Sequence, residues 1–124
     1  MAESVEPHGL DMARTIAVAR LILGPDMNLQ APPNLSPHDH ALFLGAGIND
    51  WGGISPVTKD YVNPEAAWPH VAALADTCAA EGFRLRPRLC VYPEYITPAW
   101  IDPALIGRVT TLASASENGH AATV

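Results

Sequence analysis

A chain of 124 residues, 48% hydrophobic and 16% charged, carries enough apolar material for one domain with a core and too much for a disordered or fibrous protein. Its 7 basic and 13 acidic residues give a formal net charge of -6, which phosphate surfaces repel, so no nucleic-acid partner and no membrane partner is expected. No apolar run approaches the ~18 residues of a membrane span, and the opening MAESVEPHGLD lacks the basic and apolar regions of a signal peptide, so a cytoplasmic location is expected.

Over residues 1–9, Glu3, Glu6, Pro7 and Gly9 break any periodicity and predict a loop. From Asp11 the pattern turns helical: Met12, Ile16, Ala19 and Leu23 recur at spacings of 4, 3 and 4, Asp11 can cap the free N–H groups, and Gly24 and Pro25 stop the helix. Met27 to Ala31 reads as a short strand. Pro32 and Pro33 can donate no ladder hydrogen bond, so they end it and hold Asn34 on a stiff loop. Ser36, Pro37 and Asp39, with Leu35 as a preceding staple, predict the start of a helix about ten residues long. Ala41, Leu42 and Leu44 give it an apolar side, and Gly45 and Gly47 end it.

A second strand is expected from Ile48 to Trp51, running into the loop Gly52, Gly53, Ile54, Ser55, Pro56. Asn63, Pro64 and Glu65 predict a helix reaching Glu81, kinked or restarted by Pro69, with Val71, Leu74 and Cys78 as its inward stripe and Gly82 as its end. Phe83 to Tyr92 alternates, but Pro87 restricts it to an edge strand or an extended arm. Asp102 and Pro103 open a last short helix through about Ala113, whose apolar side includes Leu105, Ile106, Val109 and Leu112. Residues 114–124 read as a flexible tail or linker. Cys78 and Cys90 are too far apart for a CxxC pair and are expected to be reduced structural thiols.

The order strand, loop, helix, strand, loop predicts an α/β fold with its polar residues at the strands' C-terminal ends. Two parallel strands cannot close a barrel and leave open edges and a bare face, so residues 1–113 read as part of something larger.

The stretch LQAPPNLSPHDHALFLGAGINDWGGISPVTKDYVNPE, with AVARLILGPDMN before it and VYPEYI after it, closely resembles the deazaflavin-forming branch of the radical S-adenosylmethionine enzymes, in the part that performs the ring-forming step. The resemblance runs from about Ile16 to Ile106; QAPPNL and GINDWGGISPVTKDYVNPE are long and compositionally odd, hence specific. It implies a (β/α)8-type barrel with a 4Fe-4S cluster and S-adenosylmethionine at its mouth. Met27–Ala31 and Ile48–Trp51 would be the final two strands, and Asn63–Glu81 would close the outer ring. The implied reaction couples a tyrosine-derived phenol unit to 5-amino-6-(D-ribitylamino)uracil by radical chemistry, and ammonia is then lost. The ending WIDPALIGRV with its small-residue tail resembles the join to a companion module.

One departure bears on activity. The family anchors its cluster with CxxxCxxC, which is absent here, so this chain alone is expected to hold no cofactor and to be inactive. The expected partners are the remainder of the barrel, the companion module and a small-molecule substrate. The competing reading is a small non-catalytic α/β binding or interaction domain. An unrelated hydrolase lacks support, since the sequence has no GxSxG motif and no paired histidine and carboxylate beyond HDH.

The candidate substrate- or cofactor-binding residues are Gln30, Asn34, Asn49, Asp50, Trp51, Gly52 and Gly53, all at or just past the two strand ends. Asn34 can both donate to and accept from a uracil edge or a ribityl hydroxyl, or serve as a turn residue satisfying its own backbone. Gln30 can point into the barrel or make a structural hydrogen bond. Asn49 and Trp51 alternate with Asp50, so the three cannot line one mouth equally, and Trp51 also fits a core position. Gly52 and Gly53 allow close backbone approach or a tight turn. Ser55, Thr58 and Lys59 suit ribityl or carboxylate contacts, or a solvated loop. His38 and His40 point to different helix faces and do not form a metal pair. Glu94 and Tyr95 are further candidates from the C-terminal arm.

Overall fold

A computed structural model describes residues 7–55 and 57–117. The chain divides into two compact units, with the boundary between Arg84 and Leu85. The first unit contains α1 (Gly9–Leu23), α2 (His40–Ala46) and α3 (Val71–Ala80); the second contains a 3-10 turn at Pro93–Tyr95 and α4 (Pro103–Glu117). No strand forms among the described residues, which corrects the expected α/β content, and no helix among them is long and apolar enough to cross a membrane.

In α1 the helix begins before the predicted cap. His8 is extended and its carbonyl accepts from the N–H groups of Asp11 (2.8 Å) and Met12 (3.1 Å), which leaves Asp11 inside the first turn, where its charge still suits the helix dipole. Gly24 ends the helix as predicted, at φ +82°, and its N–H donates to the Arg20 carbonyl over 3.0 Å. Ala13 is buried, and α1 packs against α2. The opposite face is open: Val18, Leu21 and Ile22 are 53%, 84% and 75% exposed.

The side chain of Arg20 ties this helix to two later turns of the chain. Its Nη1 donates to the carbonyls of Gly24 (2.7 Å), Pro25 (3.2 Å) and Met27 (2.7 Å), and its Nε donates to that of Gly47 (2.9 Å). One guanidinium thereby fixes the exit of α1 and the end of α2. Gly47 sits at φ +108°, and a Cβ there would lie 2.9 Å from Arg20 Cγ, so both the backbone and the arginine require glycine.

The helix expected from Ser36 is shorter than predicted. Ser36 to Asp39 form a separate turn, closed by the Asp39 N–H on the Ser36 carbonyl at 3.1 Å; Asp39, at φ -111° and ψ 12°, lies outside the helical basin, so α2 starts only at His40. The two expected strands meet as parallel segments but pair at a single bridge, Gln30 with Asp50. Two backbone hydrogen bonds flank it, Asn49 to the Leu29 carbonyl (3.0 Å) and Ala31 to the Asp50 carbonyl (3.2 Å). The ladder stops there because Pro32 and Pro33 bring no N–H, and a lone pair of segments is too little to sustain a sheet.

The helix expected over Asn63–Glu81 is likewise reduced to Val71–Ala80, with turns and bends over 61–66 and no helix before His70. Pro69 accounts for this: it disfavours the helical basin for Trp68 and offers no donor of its own. Leu74 and Cys78 form the buried stripe as predicted, while Val71 is exposed. Gly82, at φ +81°, ends α3: its N–H donates to Ala79 (3.0 Å) and that of Phe83 to Cys78 (2.8 Å), a Schellman arrangement. The core of this unit comprises Ala31, Phe43, Leu44, Ile48, Trp51, Leu74 and Cys78.

In the second unit, residues 85–89 form no strand. The Arg88 guanidinium lies 4.3 Å from the Tyr92 ring centroid, and Tyr95 meets Trp100 edge-on at 5.3 Å. Asp102 Oδ1 accepts from the Ala104 N–H at 2.8 Å, the cap expected at the start of α4. The helix runs on through 114–117, part of the predicted tail; the hydroxyls of Thr110, Thr111, Ser114 and Ser116 each donate to the carbonyl four residues back, so this Ser- and Thr-rich run meets its side-chain hydrogen bonds within its own helix. The rest of the predicted tail, 118–124, lies outside the described residues.

Candidate functional site

Segments 27–34 and 48–55 carry all seven binding candidates and run parallel where Gln30 bridges Asp50. Trp51 belongs to the core. Its indole N–H donates to Cys78 Sγ at 3.4 Å, and its ring meets that of His40 edge-on at 5.0 Å, while His40 Nε2 lies 2.8 Å from the Pro33 carbonyl. Those contacts fasten the Gly52–Gly53 loop to α2 and α3 rather than offering the indole to a ligand. Both cysteines are free thiols; Cys78 is buried, as suits a structural role, whereas Cys90 is exposed.

Asn49 spans the two segments. Its Nδ2 donates to Asn28 Oδ1 at 2.7 Å and its Oδ1 accepts from the Leu29 N–H at 2.8 Å, so its carboxamide holds the pair in register. Gln30 is exposed and Asp50 half-buried. Gly52 has φ +69°, a conformation that calls for glycine; a Cβ there would meet the Gln30 amide at 3.5 Å, an ordinary contact. A Cβ on Gly53 would meet nothing within 4 Å.

Asn34 occupies the most constrained position, held between two prolines and the turn before α2. It is 3% exposed, and its Nδ2 donates to Asp60 Oδ2 at 2.9 Å and to the Ala66 carbonyl at 3.4 Å. Both neighbours only accept, so the amide nitrogen must face them and Oδ1 must face away. Oδ1 is buried without a hydrogen-bond partner.

Asp60 is the residue that sequence reasoning missed. Its Oδ1 accepts from the N–H groups of Val62 (2.8 Å) and Asn63 (3.1 Å), and its Oδ2 accepts from Asn63 Nδ2 (3.2 Å) as well as from Asn34. The local signal was available: an aspartate followed two and three residues on by free N–H groups before Asn-Pro forms an Asx turn. Its long-range partner Asn34 could not be read from spacing. The Asn63 amide and backbone, the Val62 N–H and the Asn34 amide all favour the charged carboxylate, outweighing partial desolvation, and hold its pKa down to about 2. A depressed folded-state value contributes stability above the ordinary carboxylate range, and that contribution is lost as pH falls through about 2. A carbon-detected NMR titration of the Asp60 carboxyl group is expected to show a midpoint near 2; a midpoint at 3.8, where an ordinary aspartate titrates, counts against this clamp.

The remaining candidates are engaged locally. Ser55 Oγ and Thr58 Oγ1 lie 2.7 Å apart, and Lys59 Nζ sits 5.5 Å from the Tyr61 ring centroid on an exposed loop. Glu94 and Tyr95 belong to the second unit, where Tyr95 joins Cys90, Tyr92, Trp100 and Ile101 around an open cleft of about 380 Å³. Among the described residues no group of three or more His, Cys, Asp or Glu side chains is placed to hold a metal ion.

The chemistry at the ends of the two segments is that of carboxamides and one carboxylate held by hydrogen bonds. It suits recognition of a polar ligand more than proton transfer.

No family model matches the chain, and no solved structure does. Curated proteins do. The chain is 51% identical over 114 residues to the FO synthase of Streptomyces avermitilis, which covers 90% of this chain and 13% of that protein. It is 55% identical over 100 residues to the 7,8-didemethyl-8-hydroxy-5-deazariboflavin synthase of Methanopyrus kandleri, covering 81% of this chain and 30% of that protein. With the synthase of the same name from Methanococcus maripaludis it shares 46% identity over 104 residues, 84% of this chain and 31% of that protein. The chain therefore spans less than a third of the length of each of these relatives.

Proposed function

We propose, from the premise that this chain belongs to the FO synthase family as the counterpart of one segment of those longer proteins, that it forms the substrate-side wall of the site in which the deazaflavin chromophore is made. The observation that carries this reading is the buried Asn34 carboxamide, fixed in orientation by Asp60 and left with an unpaired acceptor. The side-by-side parallel segments 27–31 and 48–51 support the finer reading that they are the last two strands of a (β/α)8-type barrel, lengthening when neighbouring strands supply their edges. Gln30, Asn34 and Asp50 would hydrogen-bond the polar atoms of 5-amino-6-(D-ribitylamino)uracil, and Gly52 and Gly53 would let the backbone come close. Asn49 and Trp51 would hold that wall in shape.

The family's 4Fe-4S cluster does not fit the thiols present. There are two cysteines, Cys78 is buried and accepts from the Trp51 indole, and Cys90 lies in the other unit, where no CxxxCxxC spacing exists. The cluster and S-adenosylmethionine would be held by the remainder of the synthase, together with the companion module as a partner, so the radical-generating step of the lyase chemistry would belong to those parts and not to this segment. The polypeptide reconstituted with iron and sulfide is expected to show neither a 4Fe-4S spectrum nor S-adenosylmethionine cleavage; observing both overturns this assignment. The reading as a whole is tested by building this segment into the Methanopyrus kandleri synthase in place of its counterpart. A chimera that cleaves S-adenosylmethionine is expected to form the deazaflavin product, and one that cleaves it but never forms product contradicts a substrate-side role.

A further inference from the structure

We propose that Asn34 is a two-point recognition residue for a ligand edge carrying a carbonyl beside an N–H, as in a lactam or cyclic imide, and that Asp60 occupies its donor half until such a ligand displaces it. This rests on the reading of the segment as a substrate-side wall and deepens it by naming the contact.

A primary carboxamide presents N–H and C=O side by side and pairs in two hydrogen bonds with a complementary edge, as asparagine does with nucleobases. The strap 57–69 complements only half of that pattern. Asp60 Oδ2, at 2.9 Å, stands where a ligand carbonyl would accept from Nδ2, and the Ala66 carbonyl takes a long second bond at 3.4 Å. Neither can donate, so the Asn34 acceptor stays unsatisfied although it is buried. A second observation points the same way: Trp68 Nε1, on the same strap, is buried without a partner. Among the described residues these are the two side-chain polar atoms in that condition, one acceptor and one donor. Buried polar groups are nearly always paired, so a strap that leaves both unmet is one whose seating against Asn34 is not its only one. When it lifts, both halves of the carboxamide are uncovered. Lifting leaves Asp60 its bonds from Val62 and Asn63, which travel with it on the strap, and breaks those from Asn34 to Asp60 and to the Ala66 carbonyl, which set the threshold a ligand has to exceed.

The test measures binding by calorimetry, without S-adenosylmethionine, to the Methanopyrus kandleri synthase carrying this segment. The probes are 5-amino-6-(D-ribitylamino)uracil, its N3-methyl derivative, and 5,6-diaminouracil, which lacks the polyol. Asn34→Ala is expected to weaken the first probe about tenfold or more. N3-methylation is expected to cost the unsubstituted segment a similar factor and to cost the Asn34→Ala variant nothing further. Asp60→Ala is expected to tighten binding about threefold or more by removing the competitor. Asp60→Asn, which keeps the side chain's size but makes it a weaker, uncharged acceptor, is expected to tighten it by less; it reads the same competition should Asp60→Ala fail to fold. A methylation penalty undiminished in Asn34→Ala overturns the proposal. So does an Asn34 effect confined to the probe bearing the polyol, which would mark a hydroxyl contact, and so does weaker binding in both strap variants. Pyrimidine binding that follows the expected pattern in a chimera forming no product leaves this inference standing and removes the wider reading; product formation with an undiminished penalty does the reverse.

Discussion

Trp51→Ala is expected to destabilise the first unit by about 3–5 kcal/mol, the range for removing a large aromatic side chain from a packed core. The indole is 5% exposed, meets the His40 ring edge-on and donates to Cys78 Sγ, so its loss opens a cavity between the 48–55 segment and helices α2 and α3 and takes a donor from a buried thiol. Against a total stability of roughly 5–15 kcal/mol for a small domain, that is a large fraction. Trp51→Phe should cost much less, because it keeps most of the ring and forfeits chiefly the N–H to sulfur contact. Urea denaturation of the full chain followed by far-ultraviolet circular dichroism separates the two, and a Trp51→Ala penalty below about 1 kcal/mol would contradict the placement of this ring in the core.

Arg20→Ala should cost about 2–3 kcal/mol, the scale of losing hydrogen bonds from a charged donor to several acceptors at once. Four carbonyls, those of Gly24, Pro25, Met27 and Gly47, accept from this guanidinium, so its removal frees the loop 24–27 and the end of α2 together. Arg20→Lys should recover less than half, because an ammonium group cannot reach four divergent carbonyls with the geometry of a planar fork. The same denaturation series checks it. In amide hydrogen exchange, Gly24 and Gly47, whose N–H groups close α1 and α2, should lose protection first. Equal stability of the lysine variant and the unsubstituted chain would show that charge alone, rather than the fork, holds these turns.

Local features are legible from sequence, and long-range ones are not. Gly24 with Pro25, Gly47 and Gly82 each read as helix ends, and each of these glycines adopts a positive φ there, because a glycine after an apolar run carries its own conformational signal. The Leu74 and Cys78 stripe is equally local. By contrast, the strand reading of Met27–Ala31 and Ile48–Trp51 describes residues that do pair, in parallel, but over one bridge; strand length depends on neighbours that alternation cannot supply. Asn63–Pro64–Glu65 carries a strong helix-start signal, yet Pro69 overrides it and α3 begins only beyond that proline. Arg20 and Asp60 escape a reading by pattern because their roles lie in partners 27 and 26 residues away, Gly47 and Asn34. Among the binding candidates, Asn49 and Trp51 stand out in sequence for polarity and aromaticity at strand ends, and both are occupied with contacts inside the unit. Asn34 alone combines burial with an unmet hydrogen-bonding group.

The open side of α1 has a consequence for the life of this segment in a cell. Leu21 and Ile22, at 84% and 75% exposure, with Val18 one turn back, present a greasy ridge of the kind that chaperones grip and that quality-control proteases use as a degradation mark. A ribosome emitting this stretch apart from whatever shields the ridge would be expected to lose product to triage, so steady-state abundance, more than folding free energy, would limit how much of it accumulates. Charged replacements at Leu21 and Ile22 would raise yield from an expression host while leaving the buried Ala13 of α1 untouched.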